Sequence, residues 1–519
     1  MLNSRLLLAL CVVMAASALA AVPCETLASL ALPEATIDSA KVVAAGEFTP
    51  PSMRRADAED AARVDDRNAV VYKSLPAFCR VMATLRPSSD SDIKVEVWLP
   101  SSGWNGKYQA VGNGGWAGVI TYSALAEGVK RGYATSSTDT GHVGATGSFA
   151  LGHPEKLIDF GYRSVHEMVL KSKAIVQAFY GSAPVHSYWN GCSTGGRQGL
   201  MEAQRYPGDF DGMLAGAPAN PRSGLTTEEM VIGIAALKNP ESHIPKSKYA
   251  MIHQAVLEKC DAIDGLKDGL IQNPMLCKFD AKILQCKGAD APDCLTAPQV
   301  AALASIYAPV FDPKTGALIY PGQSAGAETG LQVMAGGPEP FKPALDQFRY
   351  VVHKDANWDW RTFDLATDGP ANQKLSEGLL NADDPNLKTF LAKSKLILYH
   401  GWSDPNVPSE NTVDYYGKVV DTLGGTSKTN DSLRLYMVPG MAHCSNGEGP
   451  NVFDMLGALE QWVEKGQAPQ SVIATKFTKN GDPSSGVART RPLCPFPQVA
   501  KYKGSGSIDD AANFSCAVN

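Results

Sequence analysis

The sequence predicts an α/β protein: a parallel sheet covered by helices on both faces and interrupted by one long insertion. Three observations carry this. Strand and helix patterns alternate from about residue 93 to Ala217. The alternation is lost between Pro218 and about Leu391, a stretch rich in Pro and Gly. It returns at Lys395-Leu396-Ile397-Leu398-Tyr399-His400-Gly401, a β-branched and aromatic run that reads as a buried strand.

Taken in order, residues up to about 90 show no strong periodicity. Ile93, Val95, Val97 and Leu99 repeat with period two and predict a strand with one buried face. A strand from Tyr108 to Gly112 runs into Asn113-Gly114-Gly115-Trp116-Ala117-Gly118. A helix around Ala124 to Arg131 stops at Gly132, and Tyr133 to Ser137 returns as a strand. Val165, Met168, Val169, Ile175, Val176 and Phe179 recur at helical spacing and end at Gly181. A short strand His186 to Trp189, a helix from Arg197 to Tyr206 stopped by Pro207, and a strand Phe210 to Ala217 follow. Beyond the insertion come the strand at Lys395, a helix capped by Ser409 and ended by Gly424-Gly425, and the strand Leu433 to Val438. An amphipathic helix then runs through Leu456, Leu459, Trp462 and Val463 to Gly466.

A chain of 519 residues exceeds what one core sustains, so two units are expected. Residues 1–20, with Arg5 before an apolar run from Leu6 to Ala16 and Ala18-Leu19-Ala20 at the end, read as a secretory signal. That run is too short to span a membrane, and the chain carries no other apolar stretch of about 18 residues. A secreted or periplasmic protein without a membrane anchor is expected. A net charge of −6 offers no basic field for nucleic acid, so a small neutral or acidic ligand is the expected partner. Loss of Cys11 with the leader leaves Cys24, Cys79, Cys192, Cys260, Cys277, Cys286, Cys294, Cys444, Cys494 and Cys516, an even set without a C-x-x-C pair. In an oxidising compartment these are disulfide cysteines rather than zinc ligands.

The chemistry centres on Asn190-Gly191-Cys192-Ser193-Thr194-Gly195-Gly196, a G-x-S-x-G sequence where strand turns into helix. Such a turn pushes a serine hydroxyl above the sheet and leaves the next N–H facing an oxyanion, which makes Ser193 the candidate nucleophile and Thr194 a candidate oxyanion donor. The glycine-rich loop after the Tyr108 strand supplies the second donor, Gly114, with Gly115 its rival. Asp404 and His443 each lie just past the carboxyl end of a strand, and the order Ser193, Asp404, His443 is that of α/β-hydrolases. Cys192 and Cys444 adjoin the serine and the histidine, so a bridge between them would hold nucleophile and base together. In the insertion, Cys260-Asp261-Ala262-Ile263-Asp264-Gly265-Leu266-Lys267-Asp268-Gly269-Leu270 offers three carboxylates between glycine turns. It is either a solvated acidic turn or an oxygen shell for a hard cation, and it is no EF-hand, since Gln272 stands where that loop needs a bidentate Glu. Phe341, Phe348, Tyr350, Trp358, Trp360 and Arg361 are candidates for an aryl-acid pocket, with Trp358, Trp360 and Arg361 put forward as the substrate-binding set; lid core is the alternative reading of each.

These motifs, together with His400-Gly401-Trp402-Ser403-Asp404-Pro405 and Gly440-Met441-Ala442-His443-Cys444, resemble the Cys-Ser…Asp…His-Cys pattern of the tannase and feruloyl esterase family, which also contains mono(hydroxyethyl) terephthalate hydrolase. The likeness covers nearly the whole mature chain. It implies an α/β-hydrolase core in two parts, residues 21–218 and 391–519, around a lid domain of residues 219–390. It implies a secreted serine carboxylesterase for aromatic acyl esters, feruloyl or hydroxycinnamoyl first, free or attached to plant polysaccharide or polyphenol. Tannase and terephthalate-monoester hydrolase are the alternatives, with an amidase, a peptidase or a non-catalytic binding protein on the same fold as readings from other classes. It further implies the pairing Cys24–Cys79, Cys192–Cys444, Cys260–Cys277, Cys286–Cys294 and Cys494–Cys516, which the residues themselves leave open. Last, it implies structural calcium held by Asp261, Asp264, Asp268 and the carbonyls of Leu266 and Leu270, and no organic cofactor.

Overall fold

The structure, a computed structural model, describes residues 22–51 and 71–518. The expected signal sequence, residues 1–20, lies outside these. The strands in chain order are β1 Ala35–Val43, β2 Phe78–Leu85, β3 Ile93–Pro100, β4 Lys107–Val111, β5 Ala134–Thr138, β6 His186–Cys192, β7 Gly212–Gly216, β8 Val310–Phe311, β9 Leu318–Tyr320, β10 Lys395–Gly401 and β11 Leu433–Val438. Nine of them form one sheet in the order β1-β2-β3-β5-β4-β6-β7-β10-β11. The first four in that order pair antiparallel and the rest parallel. β4, β6, β7, β10 and β11 are almost wholly buried, as strands sandwiched between helices must be. This is the α/β-hydrolase architecture that the serine, aspartate and histidine order predicts.

Several expectations are corrected. β3 buries both faces, because Trp98 stacks on Phe78 at 4.4 Å under the helix Tyr122–Lys130, and buried Glu96 is held by Arg80. The N-terminal region without periodicity supplies β1 and β2; β1 is a partly exposed edge strand whose polar residues hide the pattern. Beyond the helix Met455–Lys465, two hairpins close the chain, Val472–Phe477 with Val487–Leu493 and Gln498–Tyr502 with Phe514–Val518.

Between β7 and β10 the chain is mostly helical, with Arg222–Leu237, Tyr249–Cys260, Ala297–Tyr307, Glu328–Ala335 and Leu365–Ser376 and the small β8–β9 hairpin. Ile232, Ile252, Val256, Leu303, Ile306, Leu331 and Met334 bury against one another and give this segment an apolar cluster of its own. The five disulfides are the five that the family likeness implied.

Candidate active site

β4 and β6 are neighbours, yet the chain passes from β4 to β5 on one side before it reaches β6 on the other. At such a reversal the loops leaving the two strands part and open a crevice at their carboxyl ends. The glycine-rich loop leaves β4 there and the serine turn leaves β6.

Ser193 sits between β6 and the helix Thr194–Arg205 at φ 64°, a conformation that costs an L-residue about 1–3 kcal/mol. The flanking glycines are required by close packing. A Cβ on Gly191 would come within 2.5 Å of the Gly195 carbonyl oxygen, and one on Gly196 within 2.4 Å of that of Gly216. Gly112 abuts Gly195 in the same way, which brings the glycine-rich loop onto the turn. Two side chains absent from the sequence-based site lock the arrangement. Gln198 Oε1 accepts from the Asn113 N–H at 3.0 Å while its Nε2 donates back to Asn113 Oδ1 at 3.2 Å. Asn113 Nδ2 in turn donates to the carbonyls of Val119 and Thr138. Thr194 Oγ1 donates to the Gly115 carbonyl at 2.9 Å. Among the described residues the N–H groups of Gly114, Gly115 and Thr194 find no acceptor, and all three residues line the same cavity as Ser193.

Asp404 and His443 meet across the ends of β10 and β11. His443 Nδ1 donates to Asp404 Oδ2 at 2.7 Å, and Asp404 is fully buried. Asp404 Oδ1 accepts from the N–H groups of Asn406 and Val407 at 2.8 and 3.0 Å. A residue that sequence reasoning missed completes the shell. Buried His400 points Nε2 at both Asp404 Oδ2 and the Val407 carbonyl, each at 3.0 Å. Two acceptors fix the proton on Nε2, so Thr412 Oγ1 donates to Nδ1. Its i, i+4 relation to Asp404 was the available signal. Burial alone would raise the Asp404 pKa, but His443 and His400 hold it well below the carboxylate range. Burial likewise opposes the charged form of His443, and Asp404 outweighs it, so that His443 lies above its usual value.

Ser193 and His443 both line a cavity of about 340 Å³, together with Gly114, Gly115 and Thr194. They are not hydrogen-bonded to each other, as is common before a substrate draws base and nucleophile together. The Cys192–Cys444 disulfide, with Cα atoms 6.0 Å apart, ties the two loops.

Of the candidate substrate residues, Trp358 and Trp360 lie in the lid core, the alternative reading of each. Trp358 and Trp360 bury against Phe348, Phe363, Met230 and Leu345, and Arg361 stacks outside on Trp360 while pairing with Asp359. None of the three lines the cavity; from the insertion Phe341, Pro343, Arg222 and Glu229 do. Arg222 and Glu229 were not foreseen.

In the acidic loop, Asp261 accepts from the N–H groups of Asp268 and Gly269, Asp264 from Leu266 and Asp268 from Leu270. Burial and the neighbouring aspartates raise the pKa of Asp264 and Asp268. Among the described residues nothing donates to the carbonyls of Leu266 and Leu270. Carboxylates and free carbonyls are the donor types that a hard cation takes. Arg491 takes one Asp268 oxygen at 2.5 Å. Among the described residues the side chains that gather three ligand atoms within 4.8 Å are His166, Glu202 and Asp209, not the aspartates of this loop.

Fold and site together define a carboxylic ester hydrolase on the α/β-hydrolase scaffold. The family profile "Tannase and feruloyl esterase" matches residues 79–517, and the chain belongs to that family. It is 38% identical to an uncharacterized esterase from Xanthomonas campestris pv. campestris, over 96% of this chain and 92% of the relative. It is 35% identical to a probable feruloyl esterase B-1 from Aspergillus flavus, over 84% of this chain and 86% of the relative. The crystal structure of feruloyl esterase B from Aspergillus oryzae superposes with a TM-score of 0.85 at 30% identity, covering 95% of this chain and 99% of that one.

Proposed function

We propose that this enzyme is an exported serine esterase whose substrates are esters of aromatic carboxylic acids, hydroxycinnamoyl esters such as feruloyl first. Galloyl esters and terephthalate monoesters are the alternatives within the same chemistry. The observation that carries the reading is the His443 Nδ1 to Asp404 bond at 2.7 Å beside a serine turn bridged to the same loop. With Nδ1 committed to Asp404, Nε2 is the basic nitrogen. It takes the Ser193 proton as Oγ attacks the acyl carbon, and the N–H groups of Thr194 and Gly114 receive the oxyanion. The tetrahedral intermediate then expels the alcohol, protonated by His443, and leaves an acyl-serine that water cleaves by the reverse steps. The acyl preference draws on relatives named as feruloyl esterases.

Calcium is part of this reading as a structural ion. Asp261, Asp264, Asp268 and the carbonyls of Leu266 and Leu270 would hold it and brace the insertion as a lid over the cavity. Export is supported by the leader sequence and the five disulfides. No helix among the described residues is long and apolar enough to cross a membrane.

The test is kcat/KM for methyl ferulate, methyl gallate and a terephthalate monoester, with a feruloyl amide alongside. Ferulate leading the esters and the amide left intact is the expected result. Turnover of the amide with no ester cleaved would overturn the reading in favour of an amidase, and no turnover with tight ligand binding would favour a binding protein.

A further inference from the structure

The helix Arg222–Leu237 turns one face to the cavity: Arg222, Leu225, Thr226 and Glu229 all line it, at the i, i+3, i+4 and i+7 spacing of a single stripe. Two of these four are ionisable and nearly fully buried, at 2% exposure for Arg222 and 3% for Glu229. Neither is satisfied. Arg222 Nε donates to Gln347 Oε1 at 3.2 Å and the guanidinium lies 3.8 Å over the Trp116 ring, but Nη2 has no partner. Glu229 makes no hydrogen bond among the described residues, and its Oε2 is enclosed without one. Among the described residues they form no ion pair with each other, although each acts on the other through space. Buried polar atoms are rarely left without partners, so a pair of them beside the nucleophile's cavity calls for a ligand group that completes them.

We propose that Arg222 and Glu229 read a hydroxyl on the ring of the acyl group, which donates to Glu229 and accepts from Arg222. This rests on the esterase reading above and names what the far wall of its pocket recognises. A hydroxyl is favoured over a carboxylate because it can accept from Arg222 and donate to Glu229 at once, whereas a carboxylate only accepts. Glu229 and Asp346 lie near the Arg222 guanidinium and Glu228 lies beside Glu229, so the arginine already has acidic neighbours in this dry site. Burial pushes Glu228 up to about 8, and burial with Glu228 alongside pushes Glu229 well above the carboxylate range. Trp116, on which Arg222 stacks, belongs to the glycine-rich loop beside Ser193, so the contact that reads the ring also touches the loop that holds the oxyanion.

The experiment measures kcat/KM on the methyl esters of cinnamate, 4-hydroxycinnamate and 4-carboxycinnamate. The wild type is expected to favour the 4-hydroxy ester over the unsubstituted one by about tenfold or more and to disfavour the 4-carboxy ester. In Glu229→Leu the 4-hydroxy to unsubstituted ratio should fall toward one, with Glu229→Gln between the two. The wild-type ratios need no variant, so a poorly folding substitution leaves the test standing. A wild type that cleaves all three esters without preferring the 4-hydroxy ester, one that prefers the 4-carboxy ester, or a ratio unmoved in Glu229→Leu overturns the assignment while the esterase stands. Failure of the wild type on every ester instead removes the esterase reading, and the assignment with it.

Discussion

Cys192 and Cys444 are separated by 252 residues in sequence and joined by a disulfide, and each is the immediate neighbour of a residue the chemistry needs, Ser193 before the helix and His443 after β11. The bridge closes a loop long enough to be worth ~5 kcal/mol in the chain-entropy view. Its second effect is positional. Ser193 and Cys444 both hold positive φ, at 64° and 60°, so the bridge joins two strained loops and limits how far they part.

The double variant Cys192→Ala with Cys444→Ala should therefore lose at least about tenfold in kcat under conditions where it stays folded, since a misplaced base raises the barrier directly. Cys494→Ala with Cys516→Ala, which opens a 22-residue separation in the C-terminal hairpins, should lower the melting temperature and leave kcat nearly unchanged. Equal kcat in both variants would mean that the Cys192–Cys444 bridge serves stability alone.

His443 must be neutral to accept a proton, and Asp404 holds its pKa above the usual value. kcat/KM should rise with pH through an apparent pKa above the ordinary histidine value and then level off. Stability should run the other way. A raised histidine pKa means that the folded state favours imidazolium, so the His443–Asp404 pairing stabilises the fold below the unfolded histidine value and loses that contribution as pH rises through the folded one. The depressed Asp404 gives the opposite limb, stabilising above the unfolded carboxylate range and losing this as pH falls through its folded value. A rate profile flat from pH 5 to 8 would take histidine out of the mechanism.

His400 holds Asp404 from behind. His400→Ala removes a hydrogen bond to a buried carboxylate, worth about 1.5–3 kcal/mol, and should lower the denaturant midpoint accordingly. It also withdraws a donor from Asp404, which leaves more negative charge for His443 and moves the acid limb of kcat/KM to higher pH. A purely structural His400 would shift the midpoint and leave the limb where it is.

Chelation should lower the melting temperature if calcium occupies the loop of Asp261, Asp264 and Asp268, because an ion that binds only the folded chain stabilises it by mass action. Asp264→Asn should abolish the difference between chelated and calcium-loaded samples. An unchanged melting curve, with no metal found by elemental analysis, would count against the site.

The parts of the fold legible in sequence are those where one physical demand dominates. Lys395–Gly401 and Leu433–Val438 are buried on both faces, so their apolar runs match the observed strands residue for residue. Ser193, Asp404 and His443 follow strands of this kind, and their positions were therefore readable. β1 was not, because an edge strand at the surface tolerates polar residues on either face. The Asn113–Gln198 lock spans 85 residues, and no local pattern announces a tertiary hydrogen bond. Trp358 and Trp360 kept two readings open because an aromatic that fills a core and one that lines a pocket have the same composition; only packing separates them. Arg222 and Glu229 were passed over for the converse reason, as charged residues on a helix are usually solvated.

The measurement that bears most directly on the account is Ser193→Ala, assayed on methyl ferulate beside a melting curve. The hydroxyl is the one atom the proposed chemistry cannot do without, and removing a triad nucleophile costs several powers of ten in kcat. The account predicts a loss of at least about a thousandfold with the melting temperature nearly unchanged, since alanine bears the same strain at φ 64° as serine. A folded variant that keeps a tenth of wild-type activity would contradict it and place the nucleophile elsewhere.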